Sequence, residues 1–348
     1  MWSQIGQPPS SEDEVLSCIA RHFPNKHPSI ALGRGDDCAL FHVEHSMAVS
    51  SDLFIENVHF RKSYFTPFDI GYKSLAVNLS DMAACGARPI GFSLNLGIPD
   101  DLDMGWLDQF FQGMASLANK NGVSLVGGDL SKASVIAVSI TIFGEISGVS
   151  CFLTRGGSMP GDVLFCIGQL GLARVGLHVL ERFGRDALEI WPKACKAHLR
   201  PQPHCNAGLV LGRIGFSARP PALMDVSDGL MRDLPRLLGL TGELSSSQTT
   251  MASLGASLEI PEATLHKEVL AWSHEQHENP VNTALLGGED YALLGSCAPD
   301  LLPTLEAAIP EFTRIGIVTD DGKIRCNNLE TPLLEGYDHF SLKTGKNW

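Results

Sequence analysis

Apolar and polar positions along the chain alternate with helical and strand periods in turn. Ser11-Glu12-Asp13-Glu14 has the spacing of a capping box, and Val15, Leu16 and Ile19 continue a helical period to about Arg21. Two β-type runs, 39–43 and 47–53, flank the polar turn Glu44-His45-Ser46 and predict a hairpin. Pro67 suits the first turn of a helix whose period lasts until Gly86 ends it. A strand at 90–96 follows, then a helix over about 102–121 stopped by Gly122, then strands at 123–126 and 135–146. The pattern breaks around Ser147-Gly148-Val149-Ser150, which sets a boundary near residue 148. Beyond it the periods predict strands at 163–167 and 222–225 and helices at 172–183, about 204–214 and 228–238. The polar stretch 245–250 predicts a mobile loop.

Length agrees with two domains, since 348 residues exceed one ordinary core. The expected architecture is α+β, with mixed α/β domains at 1–148 and 149–348. Charge then narrows the partners. With 26 Lys+Arg against 39 Asp+Glu, a formal net charge of −13 provides no broad cationic surface for a nucleic acid or an anionic membrane. The 9 cysteines are scattered without a Cys-x-x-Cys pair, and they read as small buried hydrophobes in a reducing compartment. No signal peptide and no uninterrupted apolar stretch of spanning length is present, so the expected location is the cytoplasm.

Candidate chemistry lies in carboxylates set beside glycine or serine: Gly35-Asp36-Asp37, Ser50-Ser51-Asp52, Gly127-Gly128-Asp129, Asp225-Val226-Ser227-Asp228-Gly229 and Gly287-Gly288-Glu289-Asp290. The pattern places them in turns at strand or helix ends. Glycine lets a backbone approach a ligand closely, and carboxylate is a hard oxygen ligand of the kind Mg²⁺ accepts beside phosphate oxygens. Each turn alone also has a bland explanation, because Asp before Gly is a common turn or cap choice. Asp81 is different. It lies in the predicted helix on one stripe with Lys73 and Val77, where an unpaired carboxylate is costly and a metal ion is a plausible partner. Together these carboxylates point to a multi-metal phosphate site. A P-loop, a dinucleotide fingerprint, a zinc-protease helix and a serine-hydrolase elbow are all absent from the sequence.

Six motifs in order resemble those of the thiamine-monophosphate kinases: Gly35-Asp36-Asp37-Cys38-Ala39-Leu40, Asn57-Val58-His59-Phe60, Ala76-Val77-Asn78-Leu79-Ser80-Asp81-Met82-Ala83-Ala84, Gly127-Gly128-Asp129, Asp225-Val226-Ser227-Asp228-Gly229-Leu230 and Gly288-Glu289-Asp290-Tyr291. The closing Gly336-Tyr337-Asp338-His339-Phe340 matches as well. That family belongs to a superfamily with aminoimidazole ribonucleotide synthetase. The resemblance implies a dimer-forming mixed sheet in the N-terminal domain and an α/β sandwich-type C-terminal domain that completes a nucleotide and substrate cleft. It implies a homodimer in which ATP, as co-substrate, phosphorylates thiamine monophosphate at a site holding several Mg²⁺ ions, without a protein nucleophile. Asp37, Ser50, Ser51, Asp52, Asp81, Asp129, Asp225 and Asp228 resemble metal contacts. Gly128, Asp129, Arg155 and Ser227 look like ATP contacts, and His59, Glu289 and Tyr337 match positions that hold the thiamine phosphate. Leu130-Ser131 stands where the family continues with threonine, and His204 where an arginine is common. Alternatives are another ATP-dependent enzyme of the superfamily, such as aminoimidazole ribonucleotide synthetase, and a non-catalytic nucleotide-binding module.

Overall fold

In the computed structural model, which describes residues 12–23, 27–32, 40–41, 44, 46–240 and 254–327, two compact units are found. The first runs to Met82 and resumes over Ala87–Ser147, and the second holds Ala83–Gly86 and the chain from Gly148 onward.

The first unit is organised by a four-stranded mixed sheet of β3 (Met47–Ile55), β4 (Arg88–Ile98), β5 (Ser124–Lys132) and β6 (Ala137–Glu145) in the order β3-β6-β4-β5. Only β4 and β5 run parallel within it. Helices α1 (Glu12–His22), α2 (Pro67–Ala84) and α3 (Met104–Asn121) complete the unit. Its core contains Phe92, Phe110, Phe111, Leu107, Ile90, Ile70, Leu75 and Leu79, all fully buried. Edge-on ring contacts of Phe23 with Phe92 and Phe111 tie the residue after α1 to β4 and α3. Between α2 and α3 the backbones touch: a Cβ on Gly113 would stand 2.0 Å from the Phe68 carbonyl oxygen, so only glycine fits this crossing.

Side chains alternate across β3. Ala48 and Phe54 are buried, whereas Val49 and Leu53 on the other face are 58% and 59% exposed. Among the described residues, the expected hairpin of 39–43 with 47–53 is not formed. Instead β2 (Leu40–Phe41) pairs with β1 (Ile30–Leu32), and β3 pairs along its whole length with β6. Nine paired positions to a distant strand outweigh the short local partner that proximity suggests.

The second unit is built on a six-stranded sheet of β7 (Val163–Ile167), β8 (Ala222–Asp225), β9 (Gly255–Leu258), β10 (Leu293–Cys297), β11 (Phe312–Thr319) and β12 (Ile324–Cys326). The order is β12-β9-β11-β7-β10-β8, antiparallel except where β12 meets β9. Every residue of β7, β8 and β10 is buried, which explains their near-continuous apolar runs. The helices include α4 (Leu172–Phe183), α5 (Ala187–Ile190), α6 (Pro192–Leu199), α7 (Cys205–Phe216) and α8 (Leu230–Leu237). Two mixed sheets carrying helices make the chain α+β, as its periodicity predicts. The expected loop at 245–250 lies outside the described residues.

Candidate active site

Strand β3 and helix α2 build the first part of the site. Ser50 and Asp52, two residues apart, project from the buried face of β3, where the Ser50 hydroxyl donates a hydrogen bond to the Asp81 carboxylate on α2. Burial, reinforced by the negative charge of Asp81, pushes the Asp52 carboxyl up to about 7. Two crowded carboxylates and a hydroxyl oxygen form a donor set that a hard divalent cation would relieve. Ser51 faces the opposite way, its hydroxyl donating to the Ile140 carbonyl at 3.1 Å. His59 is fixed just beyond β3: the Ile55 N–H donates to its Nδ1 at 3.0 Å, which places the proton of the neutral ring on Nε2.

Asp52 lies inside β3, within the strand expected over 47–53, whereas Asp129, which the sequence pattern places in a turn, lies inside β5. Gly127, Gly128 and Asp129 continue β5 after a register shift, with Gly128 opposite Leu94 and Asp129 opposite Asn95. Gly128 has φ 150° and comes so close to β4 that a Cβ would stand 1.7 Å from the Leu94 carbonyl oxygen. Gly128 therefore serves strand contact, where the sequence pattern suggests a break, while a Cβ on Gly127 would meet nothing within 4 Å. Leu53, Ser139, Asn95 and Asp129 share one row across the sheet, so Asp129 is on the open face at the edge opposite β3. Three strand spacings, about 14 Å, separate it from β3. Within this unit, Asp129 is thus not brought to Asp52 and Asp81. Ser131, where the family carries a nearby threonine, does reach it, its hydroxyl donating to the Asp129 carboxylate at 3.3 Å. Gly128→Ala is expected to cost about 2 kcal/mol or more of stability, seen as a lowered melting temperature; an unchanged one would contradict the close approach.

In the second unit Asp225 ends β8, buried and paired in register with Leu293 of β10. The chain then turns through Ser227, Asp228 and Gly229, at φ 104°, into α8. Asp233, which the sequence reading missed, organises this turn. Fully buried, its carboxylate accepts the N–H groups of Ser227 and Asp228, both at 3.0 Å, and Arg236 Nη1 at 2.8 Å. Burial, with the nearby Asp228 charge, pushes it up to about 6. Asp228 faces guanidinium groups, with Arg236 Nη1 at 2.8 Å and Arg232 Nε at 3.6 Å. Its neighbours are cationic where the resemblance implies a metal. An acid in the first turn of a helix after Ser-Asp-Gly was the available signal for Asp233.

The turn is backed by a second segment. Glu289 N–H donates to the Ser227 carbonyl at 2.8 Å, and Tyr291 N–H to the Val226 carbonyl at 2.9 Å. Both residues hold left-handed backbone, at φ 62° and 49°. His198 Nδ1 of α6 lies 3.2 Å from the Glu289 carboxylate. Asp290 between them serves the fold, since its carboxylate accepts the N–H groups of Gly171 at 2.5 Å and Ala173 at 2.9 Å and so caps α4. Desolvation of that carboxyl pushes it to about 7 despite both bonds. Arg155 is exposed after Thr154, which bridges to Ala222 of β8. Asp37 and Tyr337 lie outside the described residues.

Residues 35–146 match the family described as AIR synthase related protein, N-terminal domain. The chain is 33% identical to the thiamine-monophosphate kinase of Escherichia coli over 344 residues, covering 94% of this chain and 98% of that one. It is 31% identical to the enzyme of the same name from Buchnera aphidicola, covering 95% and 99%. Among solved structures, the thiamine-monophosphate kinase of Stenotrophomonas maltophilia superposes with a TM-score of 0.73 at 28% identity, over 91% of this chain and 95% of that one. AaThiL complexed with AMPPCP and TMP superposes with a TM-score of 0.70 at 26% identity, over 94% and 97%. A hydrogenase maturation protein in complex with ATP shares the fold, with a TM-score of 0.72 at 20% identity over 95% of each chain.

Proposed function

Because the chain belongs to the thiamine-monophosphate kinase family, we propose that it transfers the γ-phosphoryl group of ATP to the phosphate of thiamine monophosphate, yielding thiamine diphosphate and ADP. The observation that carries this reading is near-full-length similarity to enzymes of that name, one relative having been solved with AMPPCP and TMP. The attacking phosphate oxygen is already ionised, so the reaction needs charge neutralisation and in-line alignment more than a protein base or nucleophile.

Mg²⁺ fits the donor set at Ser50, Asp52 and Asp81, whose crowding holds the Asp52 carboxyl at about 7 without it. The Asp52 and Asp81 carboxylates and the Ser50 hydroxyl would hold Mg²⁺, which would supply charge neutralisation for the phosphate oxygens. Asp225, Asp129 and, outside the described residues, Asp37 are the further acidic positions we assign to metal contact, together with Ser51 of β3. The cationic neighbours of Asp228 favour a role in shaping the Ser227 turn against ATP. Gly128 brings the β5 backbone to the nucleotide, and Arg155 clamps phosphate. His59 presents Nε2–H to the substrate phosphate. Glu289, held beside His198, faces the cationic thiazolium ring, with Tyr337 as its aromatic companion.

The enzyme acts as a homodimer through the open face of the first sheet. Supporting this, Val49 and Leu53 expose apolar side chains there, and Asp129 occupies the Leu53 row. Pairing of two such faces would carry Asp129 into the interface. We place it in the cytoplasm, consistent with cysteines scattered through the sequence without a Cys-x-x-Cys pair. No helix among those residues is long and apolar enough to cross a membrane.

ADP release distinguishes the substrates. Release that requires both Mg²⁺ and thiamine monophosphate, and that stops with free thiamine as acceptor, is the expected result. Release indifferent to the acceptor, or seen only with formylglycinamidine ribonucleotide, would contradict the assignment.

A further inference from the structure

A second donor cluster lies in the first unit, on side chains that the phosphoryl-transfer reading does not use. Cys18 and His22 are four residues apart on α1, one turn apart on the same face, and Asp108 of α3 meets them. Cys18 Sγ lies 3.7 Å and His22 Nε2 2.9 Å from Asp108 Oδ1, and the three donor atoms are within 4.8 Å of one another. Around a tetrahedral Zn²⁺ with ordinary bond lengths, sulfur and oxygen ligands stand about 3.5 Å apart, and nitrogen and oxygen ligands about 3.3 Å. The observed separations are within about half an ångström of both. Thiolate, imidazole and carboxylate together suit a borderline transition metal and are a poor match to Mg²⁺, which prefers an all-oxygen shell.

We propose that Cys18, His22 and Asp108 form a three-ligand site for a divalent transition metal, of which Zn²⁺ is the type, and that this ion clips α1 onto α3. Burial grades outward through the cluster. Cys18 is fully buried, the His22 side chain is 18% exposed and the Asp108 side chain 49% exposed, so the ion enters from the Asp108 side and keeps a fourth position for water. Arg21 approaches Asp108 to 3.6 Å, but its side chain is 63% exposed and turns to solvent when the carboxylate binds metal. The thiol proton leaves to solvent as the thiolate–metal bond forms, and no oxidant or reductant is involved.

Co²⁺ added to the whole protein, with Mg²⁺ in excess to fill the carboxylate site, tests the assignment spectroscopically. One equivalent is expected to give a thiolate-to-cobalt charge-transfer band, which an oxygen-ligated metal at Asp52 and Asp81 does not produce. Cys18→Ala should lose the band while retaining the far-ultraviolet circular dichroism and kinase turnover of the native protein. Asp108→Asn, at a half-exposed position, should weaken Co²⁺ binding at least tenfold, the lower end of what removing a partner of a metal ligand costs. Zn²⁺ should compete the band away and raise the melting temperature by mass action. A wild-type protein without the band, a band that survives Cys18→Ala, or an unchanged affinity in Asp108→Asn would overturn the proposal.

Discussion

Asp52→Asn is expected to lower kcat/KM about 10²–10³-fold, the scale on which one preorganised electrostatic group acts, while stabilising the metal-free protein at pH 8. The two effects have one cause. Buried beside Asp81, the Asp52 carboxyl titrates at about 7 in the folded chain against an ordinary 3.8. Between those values the folded state holds a proton that the unfolded state has lost, so the stability of the metal-free protein falls as pH rises through that window. Asparagine removes the titration and flattens the dependence. At the proposed metal site Mg²⁺ would take the place of the proton, so its apparent affinity is expected to rise with pH up to about 7 and then level. Melting temperatures at pH 5 and pH 8, with and without Mg²⁺, read the linkage, and steady-state rates read the chemistry. A variant with near-native rates would remove Asp52 from the metal site. A metal-free variant no more stable than wild type at pH 8 would remove the charge crowding.

Asp233→Ala should cost about 3 kcal/mol of stability and most of the activity, although we assign Asp233 no contact with either substrate. Its carboxylate is the acceptor for the Ser227 and Asp228 N–H groups and for Arg236. Removing it orphans two turn donors and takes away one of the two carboxylates that hold Arg236. The expected cost is at the low end for a broken buried pair, because the Arg236 side chain is 30% exposed and keeps Asp228. The Ser227 turn, on which the proposed ATP contact depends, then loses its fixed shape. Chemical denaturation and the KM for ATP are the readouts. Native stability would contradict the turn's dependence on Asp233, and native stability with a raised KM would move Asp233 into direct nucleotide contact.

The sequence was most legible where periodicity was local. Predicted strands at 163–167 and 222–225 coincide with Val163–Ile167 and Ala222–Asp225, because residues buried on both faces leave uninterrupted apolar runs. The predicted 172–183 coincides with α4, whose apolar stripe is bounded by Gly171 and Gly184. Asp81 is likewise legible from its place among apolar helix positions, and Ser50 bonds to it. Contacts between distant segments were hidden. Nothing near Met47 announces β6 as its partner, and Gly127-Gly128 reads as a break unless Leu94 is known to lie against it. Asp290 reads as a site acid beside Gly288, yet its carboxylate caps a helix 119 residues earlier in the chain through Gly171. Cys18 and His22 have a visible i, i+4 spacing, but their companion Asp108 becomes apparent only when α1 packs beside α3.

Following the phosphoryl group itself separates direct transfer from every alternative. Purified protein is incubated with Mg²⁺, thiamine monophosphate and ATP labelled at the γ-phosphorus, and the products are separated by chromatography. Label is predicted in the terminal phosphate of thiamine diphosphate, in amounts equal to the ADP formed, with none retained on the protein. Label released as inorganic phosphate without thiamine diphosphate, or held covalently on the chain, would contradict direct transfer between the two bound phosphates.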